Sequence, residues 1–163
     1  MSDDDLLRLR PGTDRDVEEI AHVHRLSRAW YYGTEADPGD GREATWAHLI
    51  AQPGRRFHVA VRSDRLVGFM SAIRTEDLEP TLELTALYVL PEHLGSGVGP
   101  RLYEQFDAER RDVDTGLLEV WRGNARATSF YVRRGWTPTA TTRPGPQDLD
   151  FVTYRLAPRG LPG

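Results

Sequence analysis

The chain contains no cysteine and no lysine. Without a thiol it has no disulfide framework, no thiolate metal site and no cysteine acyl-enzyme. Without lysine it cannot carry the Gly-Lys-Ser/Thr ending of a nucleotide-triphosphate loop, and all 21 basic residues are arginine. No run is long and apolar enough to span a bilayer. Ser2-Asp3-Asp4-Asp5 is the reverse of the basic start of a signal peptide. A cytoplasmic location without a membrane partner fits these absences. Positive charge is not in excess: the net charge is −4 and the pI about 5.7. Nucleic-acid-binding domains are usually basic, so no nucleic-acid partner is expected, while neutral or cationic small molecules suit the balance. The 163 residues have a globular composition and the length of one domain. Residues 1–163 read as that domain, with a core over about 7–156 and a tail over 157–163.

The densest signal lies between Leu82 and Leu102. Leu82 to Leu90 is a short aliphatic run bounded by Pro80 and Pro91, which suits a buried strand better than a helix. Gly95, Gly97 and Gly99 follow, and then Val98, Leu102 and Phe106 recur at helical spacing. Strand, glycine loop and helix in that order form an anion site. Glycines allow positive φ and close approach, and a helix start aims unpaired N–H groups and a positive dipole end at the loop. The dinucleotide fingerprint does not fit, because the sixth place counted from Gly95 is Pro100. The alternative is a glycine-rich turn that only joins strand to helix.

Before this stretch, Leu7 to Arg10 alternates as a strand stopped by Pro11-Gly12. Thr13 offers a helix cap with acids behind it, and the helix, with Val17, Ile20, Ala21 and His24 on one face, is expected to end near Trp30. Trp30, Tyr31 and Tyr32 form an aromatic cluster. Asp37 and Asp40, in an acidic loop, miss the spacing of a calcium site. His22 and His24, two apart, fall on different helix faces, so no metal is expected. A helix from Arg42 to Ala51 and strands around Phe57–Val61 and Leu66–Ile73 come next, with Gly68 marking a close approach or bulge; His58 reads as structural. After the central stretch, the helix is expected to reach about Arg111 and a strand to cover 117–121. A helix capped by Asn124 ends near Gly135. A strand from Trp136, a loop over 141–150 and a strand over 151–156 complete the chain.

Two segments carry a family resemblance. Val89-Leu90-Pro91 with Gly95-Ser96-Gly97-Val98-Gly99 resembles the pyrophosphate loop of acyl-CoA-dependent N-acetyltransferases, the GNAT superfamily. Its Gln/Arg place is here Leu94, with His93 and Arg101 as nearby cations. Asn124 to Trp136, NARATSFYVRRGW, resembles that family's second signature. The resemblance spans Leu7 to Leu156 and is weakest over 29–52. It implies an α/β (α+β) single domain with a mixed central sheet of about six to seven strands, flanked by about four helices, whose central strands splay apart.

It also implies an enzyme that transfers an acetyl group from acetyl-CoA to a primary amine by direct attack, with no metal. The main chain of Leu87, Tyr88 and Val89 would hold the pantetheine arm, and an N–H near Val89 would face the oxyanion. Leu94, Gly95, Ser96, Gly97, Val98, Gly99, Pro100 and Arg101 would hold the pyrophosphate, and Asn124 would lie near the cofactor. Tyr131 matches the family's proton donor to sulfur, and its reference pKa of about 10 is near a thiol's. The alternative is that its ring only packs.

Glu83, in an apolar strand where some family members place a base, is the expected base, with Glu119 as runner-up. A carboxylate there is costly without a partner or purpose, so an arginine partner is the competing reading. Trp30, Tyr31 and Tyr32 would line the acceptor site, with simple packing as the alternative. The expected acceptor is a small-molecule amine; a peptide amine, at a protein N-terminus or lysine, and a non-catalytic acyl-CoA-binding module are the alternatives. Homodimers are common in the family, so one is an open expectation here.

Overall fold

The computed structural model of the protein describes residues 6–35 and 42–160. The expectations placed on Ser2–Asp5, on Asp37 and Asp40, and on 161–163 lie outside the described residues. Among the described residues the chain forms seven strands and four α-helices, in a mixed α/β arrangement. The strands are β1 (Arg8–Pro11), β2 (Arg55–Arg62), β3 (Arg65–Thr75), β4 (Thr81–Val89), β5 (Thr115–Trp121), β6 (Thr137–Arg143) and β7 (Phe151–Leu156). The helices are α1 (Val17–Tyr32), α2 (Glu43–Ile50), α3 (Val98–Glu109) and α4 (Ala125–Val132). The sheet order is β1-β2-β3-β4-β5-β7-β6. β4 and β5 pair in parallel, and the β1–β2, β2–β3, β5–β7 and β6–β7 pairs are antiparallel. The chain falls into two compact units, Met1–Ile73 with Ala86–Glu109, and Arg74–Thr85 with Arg110–Gly163.

In the first unit β3 is buried without interruption from Leu66 to Ala72, the mark of a strand covered on both faces. Successive residues point to opposite faces, and Gly68 and Phe69 show both. On the Phe69 face the Trp46 indole of α2 lies edge-on, 5.2 Å from Phe69 and 6.0 Å from Phe57. On the Gly68 face α3 comes so close that a Cβ there would lie 3.0 Å from Val98 Cγ1 and 3.1 Å from Leu102 Cδ1. The same Cβ would sit 2.9 Å from the Tyr88 carbonyl oxygen, so only glycine fits. The β2 register also shifts between Ala60 and Val61, opposite Gly68, so both readings of this glycine hold. The entry to α1 is one turn more elaborate than expected. A 3-10 turn over Asp14–Asp16 precedes it, the Thr13 N–H donates to Asp16 Oδ2 at 2.8 Å, and Arg10 reaches both Asp16 carboxylate oxygens at 2.8 Å. α1 runs to Tyr32 rather than Trp30 because Gly33, at φ 68°, supplies the left-handed stop.

In the second unit Trp136, almost fully buried, lies across β5. A Cβ on Gly116 would be 2.8 Å from its Cη2 atom, and β5 begins at Thr115 rather than 117 because Thr115 and Gly116 pair with Thr81 and Leu82 of β4. Gly116 looks like a turn in sequence and is a strand residue that makes room for an indole. Two further boundaries move. Arg110 leaves α3 because its guanidinium is buried and donates to the Asp114 and Ala157 carbonyls at 3.2 and 3.1 Å. β6 extends through Thr141–Arg143, expected as loop, because Thr142 and Arg143 pair with Val152 and Phe151 of β7.

Candidate active site

The glycine loop sits in the first unit, between a 3-10 turn at Pro91–His93 and α3. Gly95 and Gly97 adopt φ of 78° and 92°, and a Cβ at either would meet nothing within 4 Å. Their requirement is conformational rather than steric. Leu94 is half-buried, Gly95 and Ser96 are exposed, and Val98 at the head of α3 is fully buried. Gly99 and Pro100 complete the first turn, where N–H groups have no helical partner and proline has none to offer. Arg101 is exposed, and its N–H closes the first helical bond onto Gly97 at 3.2 Å. The expected cations His93 and Arg101 flank the loop, and the structure adds one that sequence reading missed. Arg62, at the end of β2, donates from Nη1 to Ser96 Oγ at 3.0 Å and from Nη2 to the Ser96 carbonyl at 3.2 Å. No local signal marks Arg62, because its partner lies 34 positions away.

Leu87, Tyr88 and Val89 end β4 in the same unit. The Leu90 N–H donates to the Val67 carbonyl at 2.8 Å, toward β3. Alternation along the strand therefore turns the N–H and C=O of Val89 to the other edge. The Val89 carbonyl receives a 2.7 Å hydrogen bond from the hydroxyl of Ser27, a buried residue of α1. Sequence reading missed Ser27, yet a signal exists: it continues the Ile20–His24 face one turn on, a polar residue on an apolar stripe.

The Tyr88 ring lies among aromatic neighbours of α1. His24 stands edge-on at 4.8 Å, and Tyr31 stacks at 6.4 Å with a 16° interplanar angle. Tyr32 lies 4.5 Å from Tyr31, and Arg28 sits over the Tyr32 ring at 5.6 Å. Burial pushes the phenols of Tyr31 and Tyr88 well above the ordinary value, the Tyr31–Tyr88 hydrogen bond pulling Tyr88 the other way by less. Both stay neutral at physiological pH, and Tyr31 donates to Tyr88. Trp30 is 51% exposed, so its indole is not core packing. The structure thus brings Tyr31 and Tyr32 to the end of β4 through Tyr88 and leaves Trp30 at the surface.

The second unit holds Glu83, Asn124 and Tyr131. Glu83 is half-buried on β4, opposite Leu117, in the last register of the parallel ladder that starts at Thr81↔Thr115. β4 continues past that ladder to Val89. Asn124 caps α4, its Oδ1 accepting from the Ala127 N–H at 3.1 Å. The cap fixes the helix on which Tyr131 stands with its ring edge-on to Trp136 at 6.0 Å and to Phe130 at 5.3 Å. Glu119, the runner-up base, is exposed and bound to Arg143 at 2.7 Å, which makes it a surface ion pair. His58 is held by Glu109 at 3.1 Å, the structural role expected of it.

A family model described as "Acetyltransferase (GNAT) family" matches residues 20–136. An uncharacterized N-acetyltransferase of Mycobacterium bovis is 34% identical over 119 residues, covering 69% of this chain and 74% of that protein. Among solved structures, the PaiA N-acetyltransferase of Thermoplasma acidophilum, in complex with coenzyme A, superposes with a TM-score of 0.73 at 21% identity. That match covers 91% of this chain and 98% of the other. The ribosomal-protein-S18-alanine N-acetyltransferase of Escherichia coli matches with a TM-score of 0.73 at 22% identity, covering 97% of both chains.

Proposed function

Since this chain belongs to the acetyltransferase (GNAT) family, we propose that it moves an acetyl group from acetyl-CoA to the amine of a small molecule by direct attack. The enzyme class follows from the family; the acceptor and the residue roles are our reading. The observation that carries it is the glycine loop, whose two left-handed glycines precede the first turn of α3 and are joined to the end of β4 by the 3-10 turn at Pro91–His93. That loop suits the diphosphate, and the main chain of Leu87 to Val89 suits the amide-bearing arm as an added strand.

In this reading Glu83 takes the proton that an ammonium group must lose before it can attack. The Val89 N–H meets the oxyanion as the tetrahedral intermediate forms, and the Ser27 bond to the Val89 carbonyl holds the following peptide, on the other side of the same Cα. Tyr131 donates its phenolic proton to the departing thiolate. Asn124 holds the helix that carries Tyr131. Tyr31 and Tyr32, with Trp30 at the surface, line the acceptor side, where aromatic faces favour a cationic or ring-bearing amine.

The test is a thiol-release screen with acetyl-CoA and a panel of small amines, set against peptides with free N-termini and lysines. Turnover confined to small amines supports the reading. Turnover confined to peptides moves the acceptor to protein, the activity named for the E. coli structure above.

A further inference from the structure

We propose that Arg62 is the positioning residue of the glycine loop, fixing the peptide between Ser96 and Gly97 so that the Gly97 N–H is presented to the diphosphate. The inference deepens the acetyl-CoA reading above and rests on it.

A peptide unit is planar and trans, so the carbonyl of one residue and the N–H of the next point in opposite directions. Holding the Ser96 carbonyl therefore aims the Gly97 N–H. Arg62 Nη2 donates to that carbonyl at 3.2 Å, and Arg62 Nη1 donates to the Ser96 hydroxyl at 3.0 Å. Nη1 also lies 3.4 Å from His93 Nδ1. The Ser96 hydroxyl in turn donates to the His93 carbonyl, so one guanidinium fork ties three groups of the loop to the end of β2. The loop needs such a tie. Gly95 and Gly97 flank Ser96 with no side chains and with open space where a Cβ would be, so nothing else in their own packing prevents the peptide from flipping. Leu94 stands where the family's loop carries a Gln or Arg. Arg62, from a neighbouring strand, supplies donors and positive charge that Leu94 cannot. Its place just before the Ser63-Asp64 turn, with both turn residues left-handed and Arg62 paired with Arg65, puts it on the β2–β3 hairpin rather than on the loop it holds.

The experiment compares two ligands on the full chain, coenzyme A and pantetheine, which lacks the diphosphate. Ligand-observed NMR titration reads both affinities in wild type, Arg62→Ala and Arg62→Lys. Loss of charged hydrogen bonds of this kind changes affinity by roughly 10- to 100-fold. Arg62→Ala is expected to weaken coenzyme A by that factor, to leave pantetheine unchanged and, in turnover, to raise KM for acetyl-CoA at nearly constant kcat. Arg62→Lys keeps the charge but loses the fork, and recovers only part of the affinity. It also reads the contrast should the alanine variant unfold. Equal weakening of both ligands, or unchanged affinity for coenzyme A in either variant, overturns the assignment. Wild-type protein that binds no coenzyme A overturns the acetyl-CoA reading itself, a result distinct from a failure at Arg62.

Discussion

The hydroxyl of Ser27 and the carbonyl of Val89 are joined by a buried 2.7 Å hydrogen bond that ties the middle of α1 to the last residue of β4. Removing the hydroxyl leaves a buried carbonyl without its donor, at a cost of about 1–3 kcal/mol. Ser27→Ala is therefore expected to lower the denaturant midpoint with no change in slope. It should also reduce kcat, because the main chain on the C-terminal side of Val89, next to the peptide that bears the Val89 N–H, would lose its restraint. A variant with unchanged stability and turnover would show that the bond restrains nothing of consequence.

Tyr131→Phe keeps the ring edge-on to Trp136 and removes only the hydroxyl. If the phenol protonates the departing thiolate, kcat falls by roughly 10²- to 10⁴-fold with little change in KM for acetyl-CoA. Wild-type turnover in this variant would assign Tyr131 to packing alone.

Glu83→Gln separates base from scaffold through the pH–rate profile. A general base gives a rate that climbs with pH through its pKa, and the glutamine variant should lose that limb. An unchanged profile would return Glu83 to a structural role.

Acid stability is set elsewhere, at Asp114 and Asp16. Burial alone would raise Asp114. The Arg74 guanidinium at 2.6 Å and the Arg111 N–H at 2.8 Å outweigh it and hold the carboxyl below the usual range. The Arg10 fork, acting against burial, lowers Asp16 likewise. With both depressed in the folded state, their stabilisation is present above about pH 4, the unfolded value, and lost as pH falls through the folded values. Unfolding free energy measured from pH 7 downward should decline below about pH 4. Asp114→Asn should flatten that decline and cost about 3–5 kcal/mol at neutral pH, because Arg74 would lose its buried partner.

The elements with a strong local period were legible in the sequence. The Leu82–Leu90 strand, the Val98–Leu102–Phe106 face and the Asn124 cap each follow from residues within a turn or two of one another. The glycine loop was legible because positive φ leaves a direct mark in composition. Arg62 and Gly116 were not. Each acquires its role from a partner brought up by the sheet, Ser96 for one and the Trp136 indole for the other, and nothing beside them in the chain announces it. Ser27 lies between these cases, since a hydroxyl on the apolar stripe of α1 is visible even though its acceptor is not.

The most direct measurement is a calorimetric titration of the purified chain with acetyl-CoA. The account predicts saturable binding at one site per chain, competed by coenzyme A, with affinity falling as salt rises because the diphosphate is held by charge and N–H groups. Absence of saturable heat with millimolar acetyl-CoA would contradict it.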